Sequence, residues 1–433
     1  MIILFFTPWL KASAIGRVSS LVVEELIRQG HEVSIVRAED TPLFDQPTHR
    51  FSGKLILWNQ ADRIRAQARQ SDLIIYQIGN NFAYHRGCVE WLPTLPGLVS
   101  LHDNFLGHLF WSCAEVMGRQ RAKELLARLY DATVAHRFFD HANSTSFINY
   151  ASEAAPMTEW IVAMASGVIV HSSWAMARIT RACRGPVEVV PLSYDAPFLD
   201  QPGEDEAPRP PGGEQIVVLT IGHVNPNKRY ESVIAAIGLS PQLREQMVFR
   251  IVGLVEPAMA EILRAQANRL GVRVVITGEV ESHRLASEIR AADIMCCLRW
   301  PALEAASAST IEAMLYGKPA IVVDTGFYSD LPNDCVLKIS PHDEIAGLRI
   351  ALERLANAPA ERVAMGKLAG SYAAVTFRAD HYAERIVAIK SRIDQTKIVV
   401  DAARIFSGTL ERWGRKGMPA LLDPVSAPLS IFR

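Results

Sequence analysis

Short apolar runs alternate with helix-patterned stretches along most of this sequence, and that alternation narrows the fold more than any other feature. Residues 1 to 36 set the pattern. Apolar IILFF is followed by a loop, then by a stretch with Val18, Leu21, Val22 and Leu26 on one helical face, Gly30 as its stop, and HEVSIV. Strand candidates follow at 73–76, 98–101, 168–171 and 187–190. The segment PFLDQPGEDEAPRPPGGEQ (197–215) is rich in proline, glycine and acid, fits neither periodicity, and reads as a linker. Beyond it the alternation restarts, with strands near 216–221, 248–252, 273–277, 294–298, 319–323 and 336–339. Short strands alternating with helices imply parallel sheets covered on both faces. The 433 residues exceed what one core sustains. The expectation is an α/β chain of two Rossmann-like domains: residues 1–196, a linker over 197–214, and residues 215–394. The segment 395–433, carrying ERWGRKG at 411–417, is expected to return to the first domain.

The bulk numbers exclude several classes. Hydrophobic content of 49% with 21% charged residues is that of a folded protein. Forty-five basic against forty-six acidic side chains give a net charge of −1, which removes a global electrostatic drive toward nucleic acid. The six cysteines are scattered without a CxxC pair, and Cys296 and Cys297 lie in an apolar run that reads as a buried strand. A disulfide framework or zinc site does not fit, so a reducing, cytoplasmic compartment is expected. MIILFFTPWLKASA resembles a short leader, but no basic residue precedes the apolar run and Pro8 interrupts it. No run reaches the roughly 18 apolar residues of a membrane span.

Between 104 and 160 the alternation fails. Residues 113–139 read as one helix, with Leu125, Leu126, Leu129, Val134 and Phe138 at helical spacing and Arg119, Arg121, Lys123 and Arg128 interleaved. Two readings stay open there: a packing helix, or a contact with an acceptor or with a membrane surface at the periphery.

In open parallel sheets, ligands bind outside the carboxyl ends of the strands. The unusual residues collect at those ends: Lys11 to Arg17, His102 with Asp103, Ser172 with Ser173, His223 to Arg229, Glu279, and Glu304 to Glu312. In TIGHVNPNKRYESVIAAI (220–237), Lys228 and Arg229 stand at a helix start, the unfavourable end of the dipole for a cation. A diphosphate would compensate, because an ion pair at about 4 Å is worth on the order of 4 kcal/mol at an effective dielectric near 20. In WPALEAASASTIEAMLYGKPAIVV (300–323), two glutamates bracket seven small or modest residues. Ala305, Ala306, Ser307, Ala308 and Ser309 lead into a helix expected to begin near Thr310, where bare N–H groups suit a phosphate. Glu312 has a second reading, since Ser309-x-x-Glu312 also matches a capping box. His102 is equally open to a structural role, and Lys228 to simple solvation. No histidine pair has the spacing of a metal-binding helix, so no metal site is expected.

Together these residues resemble the retaining glycosyltransferases of glycosyltransferase family 4. Glu304-x7-Glu312 followed by AMLYGKPAIV is similar to that family's EX7E motif; IGHVNPNKRYES is similar to its donor-phosphate loop, ITGEVESHRLASEIRAADI to its nucleobase-side segment, and GVIVHSSWAMARI to its interdomain segment. The resemblance implies a GT-B architecture, two facing Rossmann-like domains with parallel sheets and an interdomain cleft. It implies that Lys228 contacts the donor diphosphate, Glu304 the sugar hydroxyls and Glu312 the ribose. His102 would lie beside the sugar, Gly16 and Arg17 would border the diphosphate or acceptor, and Glu279 and Val280 would meet the base. Ser307, Ser309, Thr310 and Ile311 would form the helix start at the phosphate. Two departures stand out. His223 occupies the place of the family's phosphate-loop arginine, with Arg229 a candidate substitute, and the usually glycine-rich first loop keeps only Gly16 in KASAIGR.

The reaction so implied moves a sugar from a nucleotide-diphosphate donor to an acceptor hydroxyl, with anomeric retention and without metal or other cofactor. The acceptor would be a carbohydrate or lipid-linked glycan of a bacterial polysaccharide or glycoconjugate. Two alternatives remain: a nucleotide-sugar epimerase or hydrolase on the same fold, and a catalytically silent nucleotide-binding scaffold. A dehydrogenase is disfavoured, because no GxGxxG follows a strand.

Overall fold

The computed structural model describes residues 1–199 and 215–412. Most of the expected linker, and the tail from residue 413 with most of ERWGRKG, lie outside the described residues.

Two parallel sheets organise the chain. The first uses β1 (Ile2–Thr7), β2 (Glu32–Arg37), β3 (Lys54–Leu57), β4 (Leu73–Ile78), β5 (Leu98–Leu101), β6 (Gly167–Val170) and β7 (Val187–Val189), in the order β3-β2-β1-β4-β5-β6-β7. The second uses β8 (Ile216–Ile221), β9 (Met247–Val252), β10 (Val274–Gly278), β11 (Ile294–Cys296), β12 (Ala320–Val323) and β13 (Val336–Ile339), in the order β10-β9-β8-β11-β12-β13. All named strand pairs are parallel. The central strands are apolar without alternation because helices cover both faces. Every residue of β8 is buried, and β1 is buried from Ile3 to Thr7. Arg250 in β9 is tolerated because its guanidinium meets Glu288, on the helix Ser282–Ala291, at 2.9 Å.

One apolar cluster runs through both sheets, joining Ile3, Phe5 and Val22 to Val217, Leu219 and Met295, with Ile386, Ile389 and Ile393 of the last helix. That helix, Ala379–Arg412, packs against the helix Ala14–Arg28, and its Arg385 and Arg392 both pair with Glu188 of β7. The helix Ala14–Arg28 starts where Ser13 accepts the Gly16 N–H and ends before Gly30, whose φ of +86° lets the chain turn into β2. Val23 is buried on it while Leu21 is only half-buried.

Two expectations need correction. Residues 113–139 are not one helix: the chain forms Gly107–Met117, Arg119–Leu129 and Ala132–Arg137, broken at Gly118 with φ +91° and restarted where Asp131 accepts the Val134 N–H. Arg119 lies over the rings of Trp111 and Phe139, at 4.7 and 4.3 Å, so part of the basic and aromatic pattern is internal packing. The edge strand β3 was also not expected, because KLIL is a short run beyond a polar stretch.

Candidate functional site

Each sheet reverses its winding at one point, between β1 and β4 in the first and between β8 and β11 in the second. The loops leaving those strands open a crevice at the carboxyl edge. The two crevices meet. A cavity of about 330 Å³ is lined by Ala14, Ile15, His102 and Asp103 from the first sheet's side, and by Gly222, Lys228, Arg299, Glu304 and the turn 306–309 from the second. A larger cavity of about 640 Å³ lies among Phe82, Met117, Arg121, Arg128 and Trp160 of the first half alone. The smaller one gathers titratable groups from both halves and is the candidate site.

Lys228 ends a short 3-10 turn, Pro226–Lys228, and Arg229, in the left-handed region at φ 57°, passes the chain into the helix Tyr230–Gly238. This geometry sends the lysine back under β8. Its ammonium donates to the Ile221 carbonyl at 2.7 Å, and the residue is 6% exposed. Gly222 makes room for it: φ there is +90°, and a Cβ would come within 2.5 Å of Nζ. Burial, and then the charge of Arg299, push the Lys228 pKa down to about 7, although Glu304 acts in the opposite direction.

Arg299 leaves the end of β11 and is also 6% exposed. Its Nε donates to Glu304 at 3.0 Å, one terminal nitrogen to the Leu298 carbonyl at 2.8 Å, and the other reaches the Ser309 hydroxyl at 3.4 Å. The loop carrying Glu304 docks on the first half: the Asn104 N–H donates to the Leu303 carbonyl at 2.6 Å and the Ala305 N–H to the His102 carbonyl at 2.9 Å. Glu304 is thereby fixed over the cavity with its side chain 41% exposed.

The helix after this loop is Ala308–Leu315, starting two residues earlier than expected. The Thr310 and Ile311 N–H groups are spent on the Ser307 carbonyl, while those of Ala306 to Ser309 make no hydrogen bond among the described residues. The Ser307 hydroxyl is shared with Thr310 and Ser309, at 3.0 and 3.3 Å. Ser309 makes no cap, so the capping-box reading of Glu312 fails: its carboxylate accepts instead from the Tyr194 hydroxyl at 3.2 Å.

His102 lines the cavity from a buried polar cluster. Its Nε2 lies 2.6 Å from the Gln77 side-chain oxygen, its ring centre is 4.9 Å from that of His171, and Ser100 behind it bonds Tyr382 of the last helix at 2.7 Å. Burial, then the neighbouring His171 and His85, hold its pKa well below 6.5, so the ring is neutral. Asp103 accepts the Asn80 N–H at 2.7 Å and forms a backbone bridge with Glu304. Burial, then the Glu304 charge, raise its carboxyl to about 7.

Several expected residues lie elsewhere. His223 is exposed and outside the cavity. Arg229 pairs with Glu344 at 2.9 Å and does not line the cavity, so it cannot stand in for the missing arginine there. Arg17 turns to Asp195 at 2.7 Å and to the Tyr194 hydroxyl at 3.1 Å, and Gly16 packs toward the Pro8 carbonyl; Ala14, Ile15 and Val18 are what this segment offers the cavity. Glu279 is exposed and Val280 packs on the core, while Leu285 of the same segment reaches the cavity. Thr310 and Ile311 are buried behind the turn. Missed from the sequence were Arg299 and Tyr194, while Asp103 was noted beside His102 without a role. Arg299 and Asp103 each stand just past a strand end, the position that identified the others.

Solved structures resemble about nine-tenths of the chain. Sucrose-phosphate synthase from Thermosynechococcus elongatus covers 93% of this chain and 100% of its own, at 17% identity and a TM-score of 0.57. HepE from Anabaena, solved in complex with UDP, covers 92% and 100% at 17% identity and a TM-score of 0.56. WaaG, a glycosyltransferase involved in lipopolysaccharide biosynthesis, covers 89% and 99% at 15% identity and a TM-score of 0.54. At these identities the likeness concerns fold, and the chain has the GT-B architecture expected of it. No curated protein matches the chain in sequence. Residues 203–369, which contribute every cavity residue on the second sheet's side, match the family model described as Glycosyl transferases group 1.

Proposed function

We propose that the chain is a retaining glycosyltransferase that moves a sugar from a nucleoside-diphosphate donor to an acceptor hydroxyl. The observation that carries this reading is the buried Lys228 ammonium in a cavity shared by both halves and lined also by the turn 306–309, whose N–H groups have no hydrogen-bond partner among the described residues. A buried cation and a bare helix start both favour a multiply charged anion. The partial match to a glycosyl transferase family and the UDP and UDP-glucose complexes of HepE supply its class.

In this reaction the bond between the anomeric carbon and the phosphate oxygen breaks, and the acceptor oxygen bonds that carbon. The acceptor proton passes to the leaving phosphate oxygen. Charge grows on the diphosphate, and Lys228 and the 306–309 N–H groups, which line the same cavity, donate to it more strongly in the transition state than in the ground state. Glu304 holds sugar hydroxyls, Glu312 the ribose, and neutral His102 flanks the sugar. The acceptor, a carbohydrate or lipid-linked glycan, approaches from the first half. Closure of the two halves keeps water from the donor.

The test is product analysis with UDP-glucose and related donors, with and without sugar acceptors. Transfer with retained configuration is expected, and Glu304→Ala should lower kcat/KM by about a hundredfold while nucleoside-diphosphate affinity stays within about threefold. Unchanged turnover in that variant would remove Glu304 from the sugar site.

A further inference from the structure

Resting on the glycosyl-transfer reading above, we propose that Arg299 supplies the second fixed cation at the donor diphosphate, the charge that His223 fails to supply. Three observations carry it. The two residues at which a phosphate-loop cation was expected, His223 and Arg229, lie outside the cavity, one exposed and the other committed to Glu344. Arg299 does line the cavity, together with Lys228, Glu304 and Ser309. It leaves β11, the strand beside β8 across the switch point, so it enters the same crevice from the opposite wall.

The charge balance points the same way. Lys228 and Arg299 are both buried against one cavity, and Glu304, the carboxylate paired with Arg299, is substantially exposed. Of the other carboxylates lining this cavity, Glu312 bonds the Tyr194 hydroxyl and Asp103 the Asn80 N–H, so the buried Arg299 guanidinium has one half-solvated partner, Glu304, and a diphosphate supplies further negative charge. A guanidinium has five N–H groups; three have partners here, which leaves one on each terminal nitrogen without a partner among the described residues. Such a pair suits two phosphate oxygens. Arg299 also holds Glu304 by its Nε, so the same side chain would link the leaving diphosphate to the carboxylate on the sugar.

The experiment compares uridine, guanosine and adenosine diphosphates with the matching monophosphates by calorimetric titration. Proteins tested are the wild type, Arg299→Gln, Arg299→Lys and, as a control outside the cavity, His223→Ala. For the base that binds, Arg299→Gln should lose diphosphate affinity by about tenfold or more while monophosphate affinity changes by less than about threefold. Arg299→Lys should fall between, and His223→Ala should match the wild type. A crystal structure of the wild-type complex should place an Arg299 terminal nitrogen within hydrogen-bond distance of the β-phosphate, which decides the matter if Arg299→Gln does not fold. If Arg299→Gln keeps the wild-type preference for diphosphate, or the complex leaves Arg299 on Glu304 alone, the inference is overturned while the glycosyl-transfer reading stands. If none of the three diphosphates binds the wild type, that reading fails and this inference falls with it.

Discussion

Asp103 and Lys228 face the same cavity with pKa values displaced in opposite directions, and each displacement has a measurable consequence. The Asp103 carboxyl, ordinarily near 3.8, sits at about 7 because of burial and then the Glu304 charge. A carboxyl raised in the folded state contributes its full stability below its unfolded value and loses it as the pH climbs through the folded one. Asp103→Asn keeps an oxygen to accept the Asn80 N–H but cannot ionise. The variant's thermal midpoint should therefore gain on the wild type between pH 4 and pH 8, by a few degrees at the upper end. Equal midpoint differences at both pH values would show that Asp103 is ionised in the folded chain. Lys228 behaves inversely. Its pKa of about 7 means that part of the population is neutral at physiological pH, and an arriving anion must recharge it.

At the scale of elements, the site is built by turns whose backbone conformation aims side chains rather than by the helices themselves. Gly222, with φ +90°, and Arg229, with φ 57°, bracket the segment that returns Lys228 beneath β8. Gly222→Ala should produce two separable effects. Left-handed strain lowers the thermal midpoint modestly, and the methyl group, which would come within 2.5 Å of Nζ, displaces the ammonium and lowers diphosphate affinity by about tenfold. Loss of stability with unchanged affinity would mean that the lysine does not hold the anion. The elements were largely legible in the sequence, since central strands such as β8 and β12 are nearly continuous apolar runs whose pattern does not depend on remote partners. What escaped depended on single residues. Gly118 broke one expected helix into several, and the start of the helix Ala308–Leu315 shifted because Ser307, not Ser309, precedes it.

Across the whole molecule, the halves are held by a seam that surrounds the cavity. The 102–105 segment bonds the loop carrying Leu303 and Ala305, Ser173 donates to Asp330, and the Tyr194 hydroxyl accepts from Arg17 and donates to Glu312. This seam explains which site residues could be read beforehand. Lys228, Glu304, Ser307, Ser309, Glu312 and His102 were legible because local motifs place them at strand ends, and all line the cavity. Arg17 and Arg229 were misread because their partners, Asp195 and Glu344, are remote in sequence and only the assembled fold reveals them, and His223 because it stands exposed outside the cavity. Arg299 escaped for the converse reason: a lone arginine after a strand means little until the opposite wall of the crevice is known.

The central claim is that this shared cavity grips the diphosphate of an activated sugar through Lys228. Calorimetric titration of UDP, GDP and ADP into the wild type and Lys228→Met at pH 8, in two buffers of different ionisation enthalpy, tests it directly. At least one diphosphate should bind the wild type with uptake approaching one proton, and Lys228→Met should lose both the uptake and about tenfold or more of the affinity. Binding that takes up no proton and is indifferent to Lys228→Met, or no binding at all, would contradict the account.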